Sequence, residues 1–272
     1  MGIRLDKKKR KIMTKKVRII LLVVVVIFVG FIATYFYTKD EKVNTIKTYN
    51  SETKVTNLLH YVIREGDTII HGKSIYYNQK GDKINQNNWV NGKIKGESIS
   101  YYENGNIESI TYMKSSEIRI EAIWNYSNGN IERYIMYDDI GDPAFIMFFD
   151  EQGNVKNYDG LPLIETFQYK IAHKKQFKIK TNQYLKIGDT LKYKYLIANI
   201  PKAHRNFKIK LLDSGNKKIK RIITKIPPIE INVNEILTKK GVNTFRATVE
   251  YKFDDKYKTV INDTISFDVE VH

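Results

Sequence analysis

The side chains best suited to acid–base or metal chemistry are His60, His71, His173, His204 and His272. Their spacing gives no ligand pair on one face of a helix or strand, so no metal site is expected from them. Cysteine is absent, which excludes a thiolate site, a cysteine nucleophile and a disulfide scaffold. His71-Gly72-Lys73-Ser74 has the ending of a phosphate-binding loop. The motif needs a further glycine where Asp67 stands, and a helix where strand-forming residues follow. No Gly-x-Ser-x-Gly elbow occurs. Asp138, Asp139, Asp142 and Asp150 could gather around a cation, but they lack calcium-loop spacing and fit turn positions. The sequence therefore predicts no catalytic set, no cofactor and no metal, and the chemistry left to it is that of charge.

The chain has 272 residues and a net charge of +16. That excess suggests a nucleic-acid partner until it is divided along the chain. Residues 1–18 carry nine Lys or Arg against one acid, residues 58–160 are net −5, and residues 161–272 are net +12. The two basic blocks need separate explanations.

The first block precedes Ile19–Tyr37, nineteen residues without a charge. As a helix it would span about 28 Å, close to the hydrocarbon thickness of a bilayer. Lys39 and Lys42 beyond it are balanced by Asp40 and Glu41. The positive-inside rule then predicts a basic cytoplasmic tail over 1–18, a single transmembrane helix over 19–37, and residues 38–272 outside the cytoplasmic membrane. No small-residue cleavage site follows the apolar run, so an uncleaved anchor is expected rather than a signal peptide. Residues 38–57 are polar without a clear period and read as a linker.

Gly81, Gly105, Gly129 and Gly153 recur every 24 residues. Aromatic pairs precede them, as in Tyr76-Tyr77, Tyr101-Tyr102 and Phe148-Phe149, and alternating stretches such as Ile107-Glu108-Ser109-Ile110 follow. A second phase places Gly72 and Gly96 at the head of Gly-x-Ser-Ile, with Ile120 and Ala144 at the same place later. Aromatic and β-branched runs around a glycine turn are hairpins. Repeated at a fixed period, they predict an elongated antiparallel sheet over 58–160, in which most of the tyrosines pack against neighbouring hairpins. The pattern G-x-x-x-x-Y-Y-x-x-G-x-[IL], clearest at Gly96–Ile107 and weaker at Gly72–Ile84, resembles the bacterial MORN-repeat variant of the YwqK-type antitoxin family. The resemblance implies the repeat fold and, more loosely, a scaffold or antitoxin role.

After Gly160-Leu161-Pro162 the repeat stops and residues alternate with period two. Leu191, Tyr193 and Tyr195 alternate with Lys192 and Lys194, and Phe207, Ile209 and Leu211 with Lys208 and Lys210. Further runs at Lys217–Thr224, Asn243–Phe253 and Thr259–Val271, with turn signals between them, predict an immunoglobulin-like β-sandwich over 161–272. The predicted fold class is therefore mainly β, with an N-terminal transmembrane helix, a hairpin-repeat sheet and a sandwich.

Residues 170–225 hold seventeen Lys or Arg against Asp189 and Asp213. Alternation should set several of these lysines on the solvent face of a sheet. Lys178, Lys180, Lys192, Lys194, Lys208, Lys210, Lys218 and Lys220 are the candidate contacts for an anionic partner. The functional expectation is a single-pass, membrane-anchored extracytoplasmic binding or scaffold protein, whose partner is a protein or an anionic cell-envelope polymer rather than nucleic acid. The alternative is an antitoxin or immunity protein, and an enzyme assembled across the repeats ranks third.

Overall fold

The computed structural model describes residues 41–168, 185–212 and 220–272. Among these every regular element is a strand. The predicted N-terminal helix is thereby corrected as a feature of the fold: the described residues contain no helix long and apolar enough to cross a membrane. Their apolar residues recur with the period of a strand, not that of a helix. Residues 19–37, where the helix was expected, lie outside the described residues.

Ten strands form one antiparallel meander in chain order. They are β1 (Asn44–Asn50), β2 (Val55–Arg64), β3 (Asp67–Tyr77), β4 (Lys83–Val90), β5 (Lys93–Tyr101), β6 (Ile107–Met113), β7 (Arg119–Asn125), β8 (Ile131–Tyr137), β9 (Pro143–Phe149) and β10 (Val155–Gly160). Residues 44–57, read as linker from their polarity, supply β1 and the start of β2. Thr, Tyr and Ile are good strand formers once a neighbouring strand takes their backbone hydrogen bonds.

The 24-residue period has a structural cause. In the four loops of the repeat, and again at Asp138–Asp142, the residue after the strand donates its amide to the carbonyl four places on, as in Tyr102 N to Asn106 O (2.9 Å) and Tyr126 N to Asn130 O (2.8 Å). The glycine of each loop donates back to the first residue and has positive φ, as at Gly105 (83°) and Gly129 (86°). This is the three-residue hairpin loop that closes on a left-handed residue. Its signature residues then reach into the next repeat. Tyr102 Oη donates to Asn125 O (2.6 Å) and Tyr126 Oη to Phe149 O (2.9 Å). Asn106 Nδ2 donates to Ser127 O (2.8 Å) and Asn130 Nδ2 to Glu151 O (2.7 Å). The second phase has its own reason at Gly72, whose φ is +102° and where a Cβ would lie 3.2 Å from that of His60. His60 is accordingly a packing residue over an irregularity in the β2–β3 register.

The remaining strands form two sheets. β11 (Leu163–Gln168), β12 (Thr190–Ile197), β15 (Glu230–Ile236) and β14 (Arg221–Ile226) pair in that order, and β13 (Ala203–Leu211), β16 (Gly241–Phe253) and β17 (Val260–Val271) form the other sheet. These orders are those of the two sheets of a constant-type immunoglobulin sandwich. Leu185, ahead of β12, bridges Val271 of β17 in parallel. Between them lie Leu191, Tyr193, Tyr195, Ile231, Val233, Phe245, Ala247, Val249 and Tyr251, all buried. The Phe245 and Phe267 rings stack at 5.1 Å.

Sheet and sandwich share this core. Ile131, Tyr134, Met136, Phe145, Met147 and Phe149, from β8 and β9, belong to the same buried cluster as the sandwich residues. The loop after β16 also meets the last repeat loop: Val155 N donates to Asp255 Oδ2 (3.3 Å) and Lys256 N to Asn154 Oδ1 (3.1 Å). The sandwich thus packs on one face of the sheet at β8 and β9 and touches its last loop, while β10 remains the edge strand.

Candidate functional site

Strand alternation sorts the candidate lysines by sheet. Leu191, Tyr193 and Tyr195 point into the sandwich, so Lys192 and Lys194 stand on the outer face of the four-stranded sheet. Leu211 is buried and Phe207 and Ile209 are partly so, which turns Lys208 and Lys210 out on the three-stranded sheet. The two pairs therefore lie on opposite sides of the sandwich, because the chain changes sheet between β12 and β13. A single face carrying all of them does not form. Lys220 is exposed just before β14, while Lys178, Lys180 and Lys218 lie outside the described residues.

The two faces differ chemically. Lys194 Nζ is 3.1 Å from Glu230 Oε2, and in register with Lys192 and Lys194 stand Asn234 and Asn232. On the other face Lys210 lies opposite Arg246 and Lys208 opposite Thr248. Arg246 donates from Nε to Ser266 Oγ at 3.1 Å, which holds its guanidinium along the sheet. Lys208, Lys210 and Arg246 are exposed, with Thr244, Thr248 and Ser266 supplying neighbouring hydroxyls. Asp268, opposite Thr244, and Glu250, opposite Asn206, border this cluster. Arg246 lies beyond the basic stretch of the sequence. Its signal was its outward place in Asn243–Phe253, where Phe245 and Ala247 alternate with it.

Arg221 belongs to the same basic stretch but points inward. Its Nε contacts Glu235 Oε2 at 2.5 Å and its Nη1 donates to Ile209 O at 2.7 Å. Tyr193 Oη donates to the same carboxylate at 2.9 Å. Burial lowers the Arg221 pKa, but the Glu235 hydrogen bond and charge, with Tyr193, outweigh it and the net shift is upward. This buried triad ties β12, β14 and β15 together and is unavailable to a partner.

A second buried carboxylate lies where the repeat sheet meets the sandwich. Glu121 on β7 accepts a hydrogen bond from Tyr134 Oη (3.0 Å), and that hydroxyl accepts one from Asn199 N (2.8 Å). Burial pushes the Glu121 pKa up to about 7, against the lowering effect of Tyr134, Asn199 and Arg205. Among the described residues no group of three His, Asp or Glu is arranged to hold a metal ion. Asp138 instead closes its own turn, its Oδ1 accepting from the amides of Ile140, Gly141 and Asp142.

No family model matches the chain, and no curated protein matches it in sequence. Among solved structures, a mutant of S. aureus TarM in complex with fondaparinux, alpha-GlcNAc-glycerol and UDP aligns at 14% identity, with a TM-score of 0.26, over 43% of this chain and 20% of that one. Domains 4 and 5 of the S-layer protein SbsC align at 8% identity, with a TM-score of 0.22, over 85% of this chain and 97% of theirs. Likeness at this level carries no argument about fold or function.

Proposed function

We propose that the chain is a binding or scaffold protein that works by surface contact with an anionic polymer or an acidic protein, not by turnover. The supporting observation is the cluster of Lys208, Lys210 and Arg246, brought to one exposed face by the register of β13 and β16. Solubility alone does not require like charges opposite each other, because facing cations are destabilising without an anion between them. The outer face of the four-stranded sheet is the weaker candidate, since Glu230 engages Lys194 there.

The test is retention of the full chain on immobilised inorganic polyphosphate, read as a function of salt. The triple variant Lys208→Glu, Lys210→Glu and Arg246→Glu should lose low-salt retention and flatten its salt dependence. Lys192→Glu with Lys194→Glu should reduce retention far less. Unchanged low-salt binding in the triple variant would reduce the cluster to a solvated face.

A further inference from the structure

A cleft of about 460 Å³ opens between the repeat sheet and the sandwich. That volume lies within the range of small-molecule sites. Tyr112, Met113 and Ile120 line it from the sheet, and Leu196, Pro228 and Ile229 from the sandwich. Its lining is mostly apolar, and its rim is charged.

Lys95 and Lys114 stand together on that rim. Gly96 and Met113 form the last pair of the β5–β6 ladder, with Lys95 beside it in β5 and Lys114 just past the end of β6. Two cations on one rim repel unless an anion lies between them. Among the described residues no carboxylate lies within ion-pair distance of either. The acids at the cleft are largely engaged elsewhere. Asp138 Oδ1 accepts three backbone amides of its own turn. Glu230 is held by Lys194 at 3.1 Å and by Asn232 at 3.0 Å. Asp139 is then the remaining acid of the lining, against the two lysines, with the exposed Glu97 standing in register with Tyr112 beside it.

An apolar floor beneath two adjacent ammonium groups has the complement of one kind of small molecule. We infer that the cleft binds a single-chain anionic amphiphile, its carboxylate or phosphate head between Lys95 and Lys114 and its chain along Tyr112, Ile120 and Leu196. The head forms charge-assisted hydrogen bonds with both ammonium groups and removes their repulsion. The chain covers apolar surface that water otherwise meets.

Calorimetric titration of the full chain with monomeric decanoate, decyl phosphate, decanol and decyltrimethylammonium tests this. Decanoate or decyl phosphate should bind one per chain, and the preferred one identifies the head group. The variant Lys95→Gln with Lys114→Gln should weaken that binding at least tenfold. Both lysines are exposed, so folding should not be affected, and a circular dichroism melt checks it. Equal binding of decanol or of the cationic amphiphile, no binding of either anion, or binding indifferent to the lysine variant would each overturn the inference. The cluster of Lys208, Lys210 and Arg246 is untouched by these variants, so failure here is separate from failure of the polyanion reading.

Discussion

The two ends of the ten-stranded sheet are built from the same repeat but are held differently. In β2 to β5 only Val62 and Ser74 are fully buried. In β8 and β9 Ile131, Tyr134, Ile135, Met136, Tyr137, Phe145, Met147 and Phe149 are all buried. The loops match, so the hairpins are not the cause. The difference is what lies against the sheet. Near β8 and β9 the sandwich covers one face, where Ile131, Tyr134, Met136, Phe145, Met147 and Phe149 fill the space, while Ile135 and Tyr137 pack with Ala122, Trp124 and Ile146 in a separate cluster of the sheet itself. In β3 to β5 cross-strand polar bonds take over: Trp89 Nε1 to Ser74 Oγ (2.8 Å), Ser98 Oγ to Asn87 Oδ1 (2.6 Å) and Asn85 Nδ2 to Ser100 Oγ (3.3 Å). One end is stabilised by burial, the other by its ladder of strands and loops.

The largest expected effect tests whether the covered end is a single cooperative core. Phe145→Ala removes a fully buried ring facing the sandwich and should cost about 3–5 kcal/mol. Ile99→Ala, on a half-buried site in β5, should cost about 1 kcal/mol. Both tryptophans, Trp89 and Trp124, lie in the repeat sheet, so their fluorescence in urea follows the sheet alone. Amide exchange at Phe245–Tyr251 follows the sandwich. Phe145→Ala should lower protection there as well as shift the fluorescence midpoint. Sandwich protection left unchanged would break the shared-core account.

Much of this contrast was legible in the sequence, for reasons that also explain what was missed. The loop glycines show at once because their positive φ restricts the residue type. The alternation at Leu191–Tyr195 and Phe207–Leu211 shows because it follows the pleat. β15 is central to its sheet yet inconspicuous in Glu230–Ile236, because one of its inward positions is Glu235, held by Arg221 and Tyr193. The charge count could not reveal that Arg221 is buried, or that Lys192 and Lys208 face opposite ways. Both depend on the change of sheet between β12 and β13. The cleft beside Lys95 and Lys114 needs two regions far apart in sequence, and period alone does not bring them together.

A smaller effect comes from the polar seam within the covered end. Glu121 has an unperturbed pKa of 4.5 and a folded value of about 7. Between those values the unfolded chain has lost its proton while the native chain keeps it, so stability falls as pH rises through this window. Above about pH 7 the full penalty, on the order of 3 kcal/mol, is in place. Glu121→Gln keeps an acceptor for Tyr134 Oη and cannot ionise. The variant should therefore be more stable than the parent at pH 8, close to it at pH 4.5, and flatter between. Urea midpoints at three pH values measure this, and parallel curves for parent and variant would remove Glu121 from the seam's pH response.

The smallest effect belongs to the ladder end and sharpens the claim that loop contacts hold it. Asn106 and Asn130 each donate from Nδ2 to a carbonyl of the next loop. The equivalent residue of the first such loop is Asp82, whose Oδ2 accepts from Asn78 Nδ2 and which has no side-chain amide to donate. The carbonyl at the corresponding position, 21 residues on, is that of Glu103. Asn130→Ala should cost about 1 kcal/mol, the net worth of one such hydrogen bond. Asp82→Asn should act in the opposite direction, raising stability by up to about 1 kcal/mol, because it supplies the missing donor. The tryptophan midpoint reads both, Trp89 lying in the strand that follows Asp82. If Asp82→Asn lowers that midpoint, the loop ladder does not extend to the uncovered end, and the cross-strand pairs of β3 to β5 must hold it instead.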